Sequence, residues 1–279
     1  MRKYRNVISA SRRCDLVAHY PDYLCQSLSK LEPEDIHTIV LWTKNPLNIL
    51  TNDQLNRELG RFDNIYLLLT LTGLGGSILE PNVPNLDDMF KMLPALVERL
   101  KTAEHIAIRY DPLIHIINPE KTYEVSNITE KTAIEILENM RSNRISRFIT
   151  SIAQDYKKAE LRLKKHGLRF HDHYKQEAEE FIRDGLSKMT WERNILLSCC
   201  VSPNLTNRGC IDSQILKSIH PLQLPASRSK DRSQREYCNC IKSYDIGQWY
   251  SCPHGCLYCY GNPAPAFSLA EADKRGEDY

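Results

Sequence analysis

The sequence predicts an α/β fold built on a parallel sheet, and two observations lead to that prediction. Short apolar segments alternate with segments whose apolar residues recur at helical spacing. The apolar segments are 7–11, 38–42, 65–71, 105–110, 147–152 and 195–200. Because parallel neighbours need a crossover between them, the alternation indicates strands joined by helices. We expect a partial or full parallel (β/α) TIM-like barrel, for which 279 residues are enough.

The helices between these strands are predicted from apolar residues three or four positions apart. They are expected at about 86–100, 128–141, 155–165, 174–188 and, after the last strand, 213–219. Pro94 lies inside the first of them and would kink it. From residue 201 the chain becomes rich in Ser, Pro, Asn, Arg and Lys. We therefore expect a barrel body over 1–200 and a cysteine-rich segment over 201–279, packed on the same barrel as one domain.

The composition is that of an ordinary globular protein, with 42% hydrophobic and 26% charged residues. A net charge of +2 gives no general argument for nucleic-acid binding. No apolar run approaches the ~18 residues of a membrane helix, and residues 1–8 lack the apolar stretch of a signal peptide. We expect a cytoplasmic protein, in which metal ligation explains ten cysteines better than disulfides do.

Three cysteines near the C-terminus carry the strongest chemical signal. Cys252, Cys256 and Cys259 are four and three positions apart in a segment that contains Pro and Gly, residues 252–260, called here the three-cysteine loop. Such a loop can place three thiolates around one side of an iron–sulfur cluster, which cysteine thiolates usually hold. A [4Fe–4S] cluster held by three cysteines leaves one iron open to a small molecule with amino and carboxylate groups.

Zinc is the main alternative at this loop, because zinc also takes thiolates in a tetrahedral arrangement. Zinc modules more often use paired C-x2-C knuckles, and the odd third cysteine breaks that pairing. His254 would be a ligand in the zinc interpretation, whereas in the cluster interpretation it would lie on the loop surface.

Polar residues follow several predicted strands at the edge where a parallel barrel has its active site. They are Arg12, Arg13, Lys44, Asn45, Thr70, Thr72, Arg109, Asp111, Cys199 and Cys200. The basic members of this set favour an anionic substrate, such as a nucleotide, a nucleic-acid lesion or a phosphorylated metabolite.

Four further thiols can form a second metal site. Cys238 and Cys240 lie two positions apart in a polar segment, and Cys210 with either Cys199 or Cys200 completes a set of four. This set predicts an auxiliary iron–sulfur cluster or a zinc ion, the alternative being reduced structural cysteines.

The triplet His171-Asp172-His173 has the composition of a metal-binding patch. It falls between two predicted helices, next to Gly167, and is interpreted as a surface turn.

The chain resembles a bacterial family, the domain-of-unknown-function family 1848, which is related to radical S-adenosylmethionine (SAM) enzymes. The C-x3-C-x2-C spacing of the three-cysteine loop is typical of radical SAM enzymes. The other matching segments are 9–13, 42–46, 71–73, 79–84, 109–112, 209–212, 235–240 and 245–247, which together span nearly the whole chain.

The resemblance implies that Cys252, Cys256 and Cys259 hold a [4Fe–4S] cluster whose open iron binds SAM. Reductive cleavage of SAM would then yield a 5′-deoxyadenosyl radical that takes hydrogen from a substrate. Residues expected at the SAM site are Tyr258, at the position that packs against the adenine, and Arg12, Lys44, Thr72, Arg109 and Asp111. The resemblance also implies an electron donor such as flavodoxin or ferredoxin.

Two departures from the usual radical SAM pattern are expected to matter. The three-cysteine loop is last instead of first, so the barrel would be circularly permuted, with 246–250 as its topologically first strand beside 7–11. Cys14 stands where the family usually has Thr, so it is not expected to be an essential ligand. The competing hypothesis is a non-enzymatic zinc or iron–sulfur protein with a structural, electron-transfer or redox-sensing role.

Overall fold

A computed structural model describes residues 4–200, 204–205 and 208–264. The predicted domain segment 201–279 therefore lies partly outside the described residues. The strands are β1 (Asn6–Ala10), β2 (Ile36–Thr43), β3 (Ile65–Thr70), β4 (Ile106–Leu113), β5 (His115–Ile117), β6 (Glu124–Ser126), β7 (Arg147–Ile152), β8 (Arg169–Phe170), β9 (Leu196–Cys200), β10 (Tyr244–Asp245), β11 (Ser251–Cys252) and β12 (Asn262–Pro263). The helices are α1 (Leu16–His19), α2 (Pro21–Leu28), α3 (Leu47–Thr51), α4 (Asp53–Leu59), α5 (Leu86–Arg99), α6 (Glu130–Ser142), α7 (Lys157–Lys165), α8 (Tyr174–Glu180), α9 (Ser187–Trp191) and α10 (Ser213–Ile219).

A central sheet of seven strands has the order β10-β1-β2-β3-β4-β7-β9, and every neighbouring pair is parallel. The prediction of a parallel α/β sheet is thus confirmed. The closed form of the predicted barrel is not found, because the edge strands β10 and β9 do not pair with each other within the described residues.

The strand that lies beside β1 is shorter and earlier than predicted. It is β10, which pairs in parallel with β1, and not the expected segment 246–250. The Asp245 side chain accepts a hydrogen bond from the Gly247 backbone N–H at 2.9 Å, which turns the chain at this point and ends the strand. A side chain at Gly247 would meet the Ser11 hydroxyl at 1.9 Å, so only glycine fits the turn.

Alternation along the strands gives the central sheet two apolar faces. In β3, Leu67 and Leu69 belong to a core packed against helices α1–α9, whereas Tyr66 and Leu68 belong to a second core. The second core is covered by α10 and by buried residues between 210 and 241. The chain after β9 therefore fills the face of the sheet that the other helices leave open.

Predicted helices are confirmed, with ends set by capping side chains. Asn85, Thr129 and Asp212 each accept a hydrogen bond from a backbone N–H in the first turn of α5, α6 and α10. Thr129 thus places the start of α6 two residues after its predicted position. Pro94 lies within α5, which continues to Arg99.

A three-stranded antiparallel sheet, with the order β6-β5-β8, was not predicted. Its strands have two or three residues each, which is too short for a periodic pattern to show in the sequence. In the described part of the chain, no helix has the length and apolar character needed to cross a membrane.

Candidate metal and cofactor site

The three-cysteine loop lies at the carboxyl edge of the central sheet, where the segment after β3 holds it. The Leu257 backbone N–H donates to the Leu79 carbonyl at 3.0 Å, and the Asn82 amide donates to the Pro253 carbonyl at 2.7 Å. From α7, the Arg162 guanidinium donates to the carbonyls of Leu257 and Cys259. The loop backbone is therefore fixed from two sides, and its cysteine side chains remain available.

The thiols of this loop are close enough to affect one another. Burial raises the pKa of Cys256 far above its ordinary value, and the nearby thiols of Cys259 and Cys252 raise it further, while Lys44 opposes the rise. The Gly261 backbone N–H donates to the Cys259 sulfur at 3.3 Å. One buried and two partly exposed thiols, with a neighbouring cation and a backbone donor, fit an iron–sulfur cluster, whose sulfur ligands are stabilised in this way.

Cys252 has a second thiol beside it. The interaction with the Cys14 thiol lowers the pKa of Cys252 to about 6 despite its burial. The same interaction, together with burial, raises the pKa of Cys14. The two thiols are therefore direct neighbours.

His254 is buried, with 1% of its surface exposed, and the expectation that it lies on the loop surface is wrong. Its Nε2 lies 2.8 Å from a carboxylate oxygen of Asp15, which also accepts hydrogen bonds from the Thr43 hydroxyl and the Lys44 backbone N–H. Burial alone would raise the pKa of Asp15, but the hydrogen bond from His254 holds it below its ordinary value. The pair ties the three-cysteine loop to the residues that follow β1 and β2.

A polar group lies next to the thiols and consists of three predicted SAM-site residues, Lys44, Thr72 and Tyr258, around Glu80. Glu80 was not predicted as a site residue. The Glu80 carboxylate, which is fully buried, accepts hydrogen bonds from Lys44 at 2.6 Å, from Thr72 at 2.8 Å and from the Tyr258 hydroxyl. Burial would lower the pKa of Lys44, but Glu80 and Cys256 raise it above its ordinary value. The group therefore presents a positive and a negative charge side by side at the edge of the loop.

The other three predicted SAM-site residues form a second group around Trp42. The guanidinium carbons of Arg12 and Arg109 lie 5.0 Å and 4.8 Å from the centre of the Trp42 ring. Arg109 also donates to Asp111 and to the Thr70 hydroxyl. In the described residues, Arg12 Nη2 and Arg109 Nε are buried without a hydrogen-bond partner. Such unpaired guanidinium nitrogens can receive an anionic group.

Four of the remaining cysteines meet on the second face of the sheet in what we call the thiol ring. The thiols of Cys200 and Cys240 each lie beside those of Cys210 and Cys238, close enough for the thiols to shift one another's pKa. All four are at most 5% exposed. Cys199 belongs to the opposite core and lies outside the ring. The structure thus selects Cys200 between the two cysteines that the sequence left open.

The family model described as "Domain of unknown function (DUF1848)" matches residues 26–261. The chain belongs to this family. None of the curated proteins matches it.

Among solved structures, the DUF1848 chain is similar to three of SuiB from Streptococcus suis. The match to the first structure covers 76% of this chain and 54% of the SuiB chain at 13% identity, with a TM-score of 0.38. The match to SuiB bound to S-adenosylmethionine covers 78% of this chain and 53% of the SuiB chain at 13% identity, with a TM-score of 0.35. The match to SuiB bound to the precursor peptide SuiA covers 70% of this chain and 48% of the SuiB chain at 14% identity, with a TM-score of 0.35. The chain thus spans about half the length of these structures.

Three residues of the DUF1848 site were not found by sequence reasoning. Glu80 stood within a matching segment, but a single acidic residue before a proline gives no sign that it will be buried beside a lysine. Asp15 and His254 are 239 positions apart, so no spacing pattern could have joined them. A polar residue directly after a strand was the available signal, and Asp15 was passed over in favour of its arginine neighbours.

Proposed function

We propose that the protein is a radical SAM enzyme in which Cys252, Cys256 and Cys259 hold a [4Fe–4S] cluster. The observation that carries the proposal is the juxtaposition of these thiols with the buried Lys44–Glu80 pair. Three thiolates leave one coordination position open, and a charged pair beside it suits a ligand that has both an amino and a carboxylate group. When bound and reduced, the cluster supplies the electron that cleaves SAM into methionine and a 5′-deoxyadenosyl radical.

Lys44 and Glu80 are proposed to receive the amino-acid end of SAM. The Lys44 ammonium is complementary to the carboxylate, and the Glu80 carboxylate is complementary to the amino group. Glu80 is fully buried and Lys44 is partly buried against it, so binding would replace one ion pair by two and leave neither of these charges unpaired. The Tyr258 hydroxyl and Thr72 fix the orientation of Glu80 through their hydrogen bonds.

The substrate is proposed to carry an anionic group. Arg12 and Arg109 present buried nitrogens that lack partners in the described residues, and both guanidiniums lie over one indole ring. Guanidiniums bind phosphate and carboxylate groups with two parallel hydrogen bonds. An anionic substrate, such as a nucleotide, is therefore the class that these residues favour.

The thiol ring is proposed to hold a second metal centre, either an auxiliary iron–sulfur cluster or zinc. Four thiols supply a full set of protein ligands for either centre. Arg147 donates to the carbonyls of Gly209 and Cys210 at 2.6 Å and 3.1 Å, and thereby fixes the segment that carries one of the thiols.

The electron donor for the first cluster is proposed to be a small redox protein such as flavodoxin or ferredoxin.

The proposal is tested on protein reconstituted and reduced with dithionite in the absence of oxygen. Wild-type protein given SAM is expected to release 5′-deoxyadenosine, measured by mass spectrometry, whereas Cys256→Ala is expected to release none. Glu80→Gln should retain the cluster but bind SAM about 10–100-fold more weakly, because a charged hydrogen bond is lost. This separates a defect in the cluster from a defect in SAM binding.

A negative result has a defined meaning in this experiment. If cluster-loaded wild-type protein releases no 5′-deoxyadenosine, the electron paramagnetic resonance spectrum of the reduced cluster is recorded with and without SAM. A change on adding SAM means that cleavage waits for the substrate. An unchanged spectrum rejects the radical SAM proposal and favours a non-enzymatic iron–sulfur protein.

A further inference from the structure

A third group of potential metal ligands lies in the small antiparallel sheet. The ligand atoms of His115, His171 and Glu177 all lie within 4.8 Å of one another. They come from β5, from the turn after β8 and from α8, whereas the thiols come from β9 and from the chain after it. This group belongs to neither of the two thiol sites.

The local fold brings the two histidines together. Strands β5 and β8 are antiparallel, and the His171 backbone N–H extends their pairing by donating to the His115 carbonyl at 2.9 Å. The two imidazole rings stack with their centres 4.3 Å apart and their planes 19° apart. Helix α8 begins three residues after His171 and returns the Glu177 carboxylate towards both rings.

The carboxylate of Glu177 bridges the two rings. One of its oxygens lies 2.7 Å from His115 Nδ1, and the other lies 2.8 Å from His171 Nδ1. His171 Nδ1 is buried and has no hydrogen-bond partner in the described residues, although a Glu177 oxygen lies 2.8 Å away. Two imidazole nitrogens and both oxygens of one carboxylate thus converge, which is the arrangement that a cation would complete.

A second carboxylate lies at the other ring nitrogen of His115. Glu124 lies 2.8 Å from Nε2 of His115. A proton held on Nε2 by this carboxylate leaves Nδ1 free to act as a ligand. Histidines that bind metals usually donate their other ring N–H to a carboxylate or carbonyl in this way. His115 is 8% exposed, so its ring is also held in place by packing.

We propose that His115, His171 and Glu177 bind one divalent cation of the zinc type. Two imidazoles and one carboxylate are ligands that zinc accepts, and three protein ligands leave one position for water or another small ligand. Bound there, the cation joins β5 to α8 and holds the small sheet against the turn after β8. Glu124 is a positioning residue that orients His115.

The test uses the reconstituted holoprotein, so that both thiol sites are already filled, and Zn²⁺ alone as the probe. Wild type is compared with His171→Ala and Glu177→Gln, and His173→Ala is the matched control from the same turn. Wild type and the control are expected to retain about one zinc per chain more than the two variants, by mass spectrometry of metals after gel filtration. Glu124→Gln should bind this zinc about 10–100-fold more weakly, because it removes an outer carboxylate.

Cobalt distinguishes the type of ligand. Co²⁺ in this site should give weak visible bands without the intense near-ultraviolet band of a thiolate complex. The visible bands should be lost in Glu177→Gln, which preserves the shape of the side chain and does not depend on the folding of His171→Ala. Equal zinc content in wild type and both variants would overturn the proposal and leave two imidazoles in contact with one carboxylate, without a metal.

Discussion

The three-cysteine loop and the thiol ring use the same chemistry in two different surroundings. The loop lies at the edge of the sheet, where its thiols face Lys44 and Glu80. The ring lies between the second face of the sheet and the chain around α10, where each thiol has two thiol neighbours. Three ligands beside a charged pair leave a position for a further molecule, whereas four ligands satisfy a metal centre. We infer that ligand number and neighbours, rather than cysteine itself, would decide the role of each proposed site.

The two sites are also held in different ways. Two side-chain contacts hold the loop, the Asp15–His254 pair to the residues after β1 and Arg162 to helix α7. The ring is tied by a strand, because Cys200 is the last residue of β9, and by Arg147 on its neighbour β7. We therefore expect the loop to depend more strongly on single side chains.

The largest expected effect separates the two proposed metal centres. Cys256→Ser should lose about four irons per chain and all SAM cleavage, because the proposed cluster would have only three protein ligands and tolerate no loss. Cys240→Ser should lose the metal of the ring and keep the iron of the loop. Iron and zinc analysis of both proteins measures this difference, and loss of all metal from both variants would show that the sites are not independent.

A smaller effect is expected when the tie between loop and sheet is weakened. Asp15→Asn removes the negative charge from a buried pair and leaves His254 without a carboxylate partner. The free energy of unfolding should therefore fall by about 3 kcal/mol. Denaturant unfolding of the metal-free protein measures the change. Asp172→Asn is the control, because its carboxylate is 66% exposed. An equal effect of the two substitutions would show that the pair does not hold the loop.

The smallest effect concerns the middle of the segment that carries the thiol ring, where it contacts His37. His37 Nε2 lies 2.8 Å from the Leu224 carbonyl, and the rings of His37 and His220 lie 4.7 Å apart. Burial lowers the pKa of both histidines. The unfolded chain, with an ordinary pKa of about 6.5, therefore binds more protons below that pH than the folded protein does.

Stability should thus be full above about pH 6.5 and fall as the pH is lowered, by up to about 1.4 kcal/mol per pH unit for each histidine. His37→Asn should flatten this dependence in unfolding measurements between pH 7.5 and pH 5, a range chosen around the ordinary pKa of about 6.5. His173→Asn is the control, because this residue is exposed. If His37→Asn leaves the slope of unfolding free energy against pH unchanged, the His37 imidazole does not hold the segment around Leu224.

Much of this fold was predictable because apolar periodicity reports burial directly. Strand β7 was predicted with its observed ends, and α10 likewise. The three-cysteine loop was evident from spacing, since its thiols are neighbours along the chain. Asp15, Glu80 and His254 were not, because each gains its role from a partner that only folding supplies.

By itself, the sequence determined the parallel α/β class of the sheet and the order along the chain of six of its seven strands. Tertiary structure decided the rest. Cys199 and Cys200 are adjacent, and successive side chains of a strand point to opposite faces, so only the packing of β9 could select Cys200 for the ring. His171, interpreted as part of a surface turn, meets His115 and Glu177 only after β5, β8 and α8 assemble. Local patterns determine which residues are buried, whereas contacts between distant segments determine which of them meet.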